Sequence, residues 1–207
     1  MEHSLFLDRK LTRRFETYDT DGDGYIERTD FALAGAAMGA AFGHAADSPP
    51  RVRLMELLLD LWDYLVTVTD ADADGQISLT EYRDAFAAGL LETPASFDEG
   101  YIPFLDAIMD IADVDGDGRL VRDEHIRWTG TLMGLPEPIA GGVFDRLDTD
   151  GDGYVTREEL MEAIRAFYFD EAPGSTGEWL LGPLGARDHR TVPHPNRYPE
   201  PRPGAAP

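Results

Sequence analysis

Apolar residues recur at helical spacing in eight short stretches of this chain, arranged as four couples. Leu11, Phe15 and Tyr18 precede Phe31 and Met38. Met55, Leu58, Leu59, Trp62 and Val66 precede Tyr82 and Phe86. Phe104, Leu105, Ile108 and Ile111 precede Trp128 and Leu132, and Val143, Phe144 and Leu147 precede Leu160, Ile164 and Phe167. Recurrence every three or four residues puts such side chains on one face of a helix, so the pattern predicts about eight helices and an all-α fold. Between the members of each couple the apolar pattern gives way to a twelve-residue polar segment: 19–30, 70–81, 113–124 and 148–159. The long first connection carries Asp47-Ser48-Pro49-Pro50, where a proline pair interrupts any helix running through it. It therefore reads as a helix pair with a marked turn, and a similar break spans Glu92 to Ser96. Residues 170–207 hold 8 of the 14 prolines and five of the glycines, a composition that does not build a core.

The four polar segments are one repeat. Each has Asp at positions 1, 3 and 5, Gly at position 6, a β-branched residue or Leu at position 8 and a carboxylate at position 12. That is the set an EF-hand calcium loop demands. A hard divalent cation takes six or seven oxygens, and alternate residues of a tight loop can aim short carboxylates at one centre. The candidate ligands are Asp19, Asp21, Asp23, Tyr25, Glu27 and Asp30 in the first loop, and Asp70, Asp72, Asp74, Gln76 and Glu81 in the second. They are Asp113, Asp115, Asp117, Arg119 and Glu124 in the third, and Asp148, Asp150, Asp152, Tyr154 and Glu159 in the fourth. Position 7 offers only its backbone carbonyl, which leaves the side chains of Tyr25, Gln76, Arg119 and Tyr154 free to vary. Gly24, Gly75, Gly118 and Gly153 allow the left-handed turn at position 6 without a Cβ clash. Ile26, Ile77, Leu120 and Val155 suit a half-buried β contact between neighbouring loops, so the loops are expected in pairs.

Positions 9 and 12 stand three apart at the start of the exiting helix. Ser78 with Glu81 and Thr156 with Glu159 therefore read as capping boxes as well as ligand pairs. Val121 can supply no cap, which costs about 1 kcal/mol at that helix start. Glu27 could add an oxygen to the first loop. Asp30 is a methylene shorter than Glu and is expected to reach an ion with one oxygen, so loop 19–30 is the place for weak calcium binding or for magnesium. Up to four Ca2+ are expected in all.

Charge sharpens this picture. Of 40 Asp and Glu residues, 19 lie in the four loops against four arginines, and the whole chain of 207 residues carries a formal charge of −22. Nucleic acid is excluded as a partner by that field. With 43% hydrophobic residues there is enough apolar material for a core, and with no cysteine there are no disulfides, thiol nucleophiles or Cys-based zinc sites. Met1 to Arg14 lacks a signal-peptide pattern, Glu2 argues against myristoylation, and the Ala/Gly-rich stretch Phe31 to Gly43 is too short to span a bilayer. A cytoplasmic monomer without a membrane association is expected. The five histidines show no ligand spacing, and no nucleophile elbow or phosphate loop stands out, so no enzyme is read here.

On its four loops and long first connection, roughly residues 1–170 resemble the four-EF-hand proteins of the sarcoplasmic calcium-binding protein type, including calerythrin-like bacterial members. That resemblance implies two EF-hand pairs packed into one compact unit, and cytosolic calcium binding. The pairs are expected at 1–92 and 97–170, followed by a tail at 171–207. Two functions fit: calcium buffering or storage, or a sensor that opens an apolar groove to a protein target. Met38, Met55, Met109, Met133 and Met161 do not cluster, which favours buffering. In the tail, Trp179-Leu180-Leu181-Gly182-Pro183-Leu184 is an apolar island expected to dock on the C-terminal pair, where a target would otherwise sit.

Overall fold

A computed structural model describes residues 5–88, 94–170, 172 and 174–184. Helices α1 (Leu5–Tyr18) and α2 (Arg28–Ala41) flank the first loop, α3 (Pro49–Thr69) and α4 (Leu79–Ala87) the second. In the same way α5 (Pro94–Ala112) and α6 (Arg122–Met133) flank the third, and α7 (Glu137–Leu147) and α8 (Arg157–Phe169) the fourth. Within the loops lie four short strands, β1 (Tyr25–Ile26), β2 (Ile77–Ser78), β3 (Arg119–Val121) and β4 (Tyr154–Thr156). β1 pairs antiparallel with β2, Ile26 opposite Ile77, and β3 with β4, Leu120 opposite Val155. Those four position-8 side chains are fully buried. The fold is all-α apart from these contacts, as the periodicity predicts.

The proline pair at 49 and 50 opens α3, where a missing N–H costs nothing. The Ala/Gly-rich α2 is explained by what it lies against. A Cβ at Gly35 would come 2.7 Å from the Leu58 side chain, so α2 and α3 approach as closely as they do only because the residue is Gly. Across the long helix α3 the buried face is Leu54, Leu58, Trp62, Leu65 and Thr69. The sequence pattern places Met55, Leu59 and Val66 on that face, but they are half-buried. The run from Leu54 to Val66 is apolar nearly all round, so periodicity alone does not resolve which edge turns inward.

The two EF-hand pairs close on each other: α2 lies against α6, α3 against α5, and α1 against both α6 and α8. A chain of rings crosses the junction, from Phe15 to Tyr82 (5.9 Å between centroids), Tyr82 to Phe86 (4.9 Å), Phe86 to Tyr168 (6.2 Å) and Tyr168 to Phe97 (5.1 Å). One contiguous core runs through both halves. After α8 a 3-10 turn (Thr176–Trp179) lies along α7 and α8. Leu180, Leu181 and Leu184 are buried beyond it. Gly177 sits directly on the α8 backbone, where a Cβ would be 2.0 Å from the Phe167 nitrogen. The tail beyond Leu184, read from sequence as lacking a core, lies outside the described residues. No helix among the described residues is long and apolar enough to cross a membrane.

Candidate metal centres

Each loop is built on its own backbone. The position-1 carboxylate accepts N–H groups from the turn ahead of it: Gly24 donates to Asp19 at 3.0 Å, Gly75 to Asp70 at 3.0 Å, Gly118 to Asp113 at 2.7 Å and Gly153 to Asp148 at 3.0 Å. Position 3 accepts from position 5, as in Asp23 N–H to Asp21 at 3.2 Å and Asp152 N–H to Asp150 at 3.1 Å. Position 5 accepts from position 7 in all four loops, at 2.8–2.9 Å. At positions 3 and 5 these backbone bonds fall on one carboxylate oxygen, whereas position 1 takes them on both, and lone pairs remain for another partner.

Position 12 closes the ring. Glu81 accepts the N–H of Ala71 (3.0 Å) and of Ser78 (2.9 Å); Glu124 that of Val114 (2.8 Å) and Val121 (3.0 Å); Glu159 that of Thr149 (2.9 Å) and Thr156 (2.9 Å). The shorter Asp30 makes the same two bonds, from Thr20 (2.9 Å) and Glu27 (2.7 Å). Asp30 is buried, at 4% exposure, as is Glu124 in the third loop. Ser78 and Thr156 hydroxyls accept from the N–H of Glu81 and Glu159, whereas Val121 offers no side-chain cap.

One carboxylate oxygen from each of positions 1, 3 and 12 gathers within 4.8 Å in all four loops: Asp19, Asp21 and Asp30; Asp70, Asp72 and Glu81; Asp113, Asp115 and Glu124; Asp148, Asp150 and Glu159. Three like charges this close and held by backbone donors suit an oxygen-seeking divalent cation, so the residues present fit calcium. The position-5 aspartates lie outside those triads, one step further round the loop. Electrostatics differ between loops. Burial, with Asp21 and Asp19 adding like charge, pushes the Asp30 carboxyl up to about 6. Hydrogen bonds from the Ser78 backbone and hydroxyl hold Glu81 below the usual carboxylate range.

Several features are not visible in the repeat. Position 4 is left-handed in every loop: Gly22, Gly116 and Gly151 have φ of +74°, +71° and +73°, while Ala73 takes +60° despite its Cβ. Glu27, read from sequence as an extra ligand, turns its carboxylate to the Gln76 side-chain amide of the paired loop and to the Thr29 hydroxyl at 3.3 Å. Arg119 is not a free position-7 side chain. Its guanidinium lies 3.0 Å from Asp117 and 3.7 Å from Asp152 of the neighbouring loop, over the Tyr154 ring at 3.9 Å. Cations of α1 hold the C-terminal end. Lys10 donates to the carbonyls of Ala166 (3.1 Å) and Asp170 (2.6 Å), Arg13 to that of Leu181 (2.7 Å), and Arg9 to that of Leu184. Half-buried Trp179 carries the Arg146 guanidinium 4.1 Å from its ring centroid. Only the charge and the apolar island were legible in advance; no local spacing links residues 9–13 to 166–184.

Comparison with known proteins agrees with this geometry. Residues 8–87 match the model of an EF-hand domain pair, and residues 141–169 that of an EF-hand domain. The chain is 29% identical to calerythrin of Saccharopolyspora erythraea over 161 residues, 77% of this chain and 90% of that protein. It is similar to a Streptomyces coelicolor calcium-binding protein described for prokaryotic calcium-mediated regulation, with 37% identity, a TM-score of 0.69, and coverage of 78% of this chain and 97% of that one. The fold is also that of a sarcoplasmic calcium-binding protein from amphioxus, at TM-score 0.68 and 18% identity, covering 87% and 98% of the two chains.

Proposed function

The chain belongs to the EF-hand family of calcium-binding proteins, as a four-loop member of the sarcoplasmic calcium-binding protein and calerythrin type, and on that premise we propose that it is a cytoplasmic calcium buffer or store acting as a monomer. The ligands we assign are the side chains at positions 1, 3, 5 and 12 of each loop and the carbonyls of Tyr25, Gln76, Arg119 and Tyr154. Loop 19–30 is the weak or magnesium-prone site, because Asp30 makes the same two backbone bonds as the position-12 Glu of the other loops with one methylene fewer, and so reaches an ion with one oxygen. The chain works as a pair at 1–92, a pair at 97–170 and a tail at 171–207. Its role calls for no chemistry beyond ion binding.

The observation that carries buffering over sensing is that the turn Thr176–Trp179 lies on α7 and α8 and that Leu180, Leu181 and Leu184 beyond it are buried, with the Leu181 and Leu184 carbonyls bonded to α1. A sensor needs an apolar surface that calcium exposes to a target; here a segment of the same chain, at very high effective concentration, covers apolar surface of the fourth hand. The test is hydrophobic-dye binding by full-length protein and by a chain truncated after Ala172. Buffering predicts little calcium-dependent dye binding at full length and a clear gain after truncation. A large calcium-dependent gain in the full-length protein would support the sensor reading instead, in which a target displaces the tail. The calcium-mediated regulation named for the Streptomyces relative is the observation that favours that second reading.

A further inference from the structure

Among the ligand positions of an EF-hand loop, position 7 is the one whose side chain ligation leaves unconstrained, since only its carbonyl is called on. In this chain two such side chains cross to the paired loop. Gln76 reaches from the second loop to Glu27 of the first, neutral amide to carboxylate. Arg119 reaches from the third loop to the fourth and brings a full positive charge. Asp117 and Asp152 each spend Oδ1 on the N–H of position 7, at 2.9 Å in both loops. Their other oxygen, Oδ2, takes no backbone bond and is the freer of the two to offer an ion. Arg119 faces both of those atoms, hydrogen-bonded through Nη2 to Asp117 Oδ2 at 3.0 Å and ion-paired through Nη1 with Asp152 Oδ2 at 3.7 Å.

We propose that Arg119 is a shared internal competitor of the third and fourth loops, which lowers their calcium affinity and makes the filling of one loop favour the filling of the other. The inference rests on the assignment of those loops as calcium sites and adds a residue that sets their strength. Asp152 can turn Oδ2 toward an ion only by leaving the guanidinium, and Asp117 likewise. Once one of the two loops holds a divalent ion, the guanidinium is repelled from the junction and the other Oδ2 is released with it. The Tyr154 ring, 3.9 Å away, fixes Arg119 at the junction, so a single side chain serves both loops. No other residue of the loop repeat supplies this: Gln76 carries no charge, and Arg122, a loop residue too, is turned away to Asp145 of α7.

The experiment is calorimetric calcium titration of full-length wild type, Arg119→Gln and Arg122→Gln, with thermal unfolding of each chain in chelator. The groups at the junction are partly exposed, so the expected effect is moderate. Arg119→Gln should raise the affinity of two sites together about fivefold, reduce the interaction between them, and lower the unfolding midpoint of the calcium-free chain, because Asp117 and Asp152 lose their counter-charge. Arg122→Gln, which removes the same charge from the same loop but not from the junction, should shift affinity much less. Equal gains in the two variants would mean that net charge alone acts and would overturn the proposal. So would an unchanged or weakened affinity in Arg119→Gln. Failure of the wild type to bind at two C-terminal sites would instead remove the site assignment on which the inference stands.

Discussion

The candidate ligands are the residues whose spacing can be read directly, because a loop of fixed length places positions 1, 3 and 12 at one centre whatever surrounds it. Asp and Glu at those places gather as expected in all four loops. What the repeat hides is backbone conformation. Ala73 holds φ +60° where the other loops use Gly, and an L-residue in that region costs roughly 1 kcal/mol. Ala73→Gly should therefore stabilise the second loop by about 0.5–1 kcal/mol. Calcium titration should show a stronger N-terminal site, while an unchanged affinity and midpoint would mean that the loop is not strained. Side-chain crossings were equally hidden. Glu27 and Arg119 both turn toward a neighbouring loop, and nothing in a single loop's sequence says which way a long side chain leans.

At the scale of elements, helix existence and the pairing of loops through Ile26, Ile77, Leu120 and Val155 followed from periodicity and position. The inward edge of α3 did not, because its apolar residues surround the helix. Nor did the fastening of the C-terminal segment. The apolar island was visible as Trp179 to Leu184, yet its hold comes from α1, where buried Arg13 donates to the Leu181 carbonyl and Arg9 to that of Leu184, far along the chain. Leu181, 1% exposed, is the residue of that segment most deeply embedded. Leu181→Ala should cost about 2 kcal/mol or more, as for other buried leucines, and lower the unfolding midpoint by several degrees. Ala at the exposed Leu33 is the control and should change little. Equal midpoints for the two variants would show that the segment carries no load.

For the whole molecule, the dominant fact is charge. Each divalent ion offsets two units, so four would bring the formal charge from −22 to −14 while relieving the repulsion inside each loop. Any ligand that binds only the folded state stabilises it, by about 2.7 kcal/mol per site at a hundredfold excess over the dissociation constant. Chelator should accordingly lower the unfolding midpoint steeply, and millimolar magnesium should restore only part of the loss. The compactness that joins the two halves through Phe15, Tyr82, Phe86 and Tyr168 makes that response a single transition. The central claim is that four loops bind calcium and that the first is unlike the rest. Calorimetric titration of the full-length protein with calcium in excess magnesium, repeated on Asp30→Glu, tests it most directly. Three strong sites in the wild type, with a fourth appearing in Asp30→Glu, is the predicted result. Four equal sites in the wild type, or no gain from the added methylene, would contradict it.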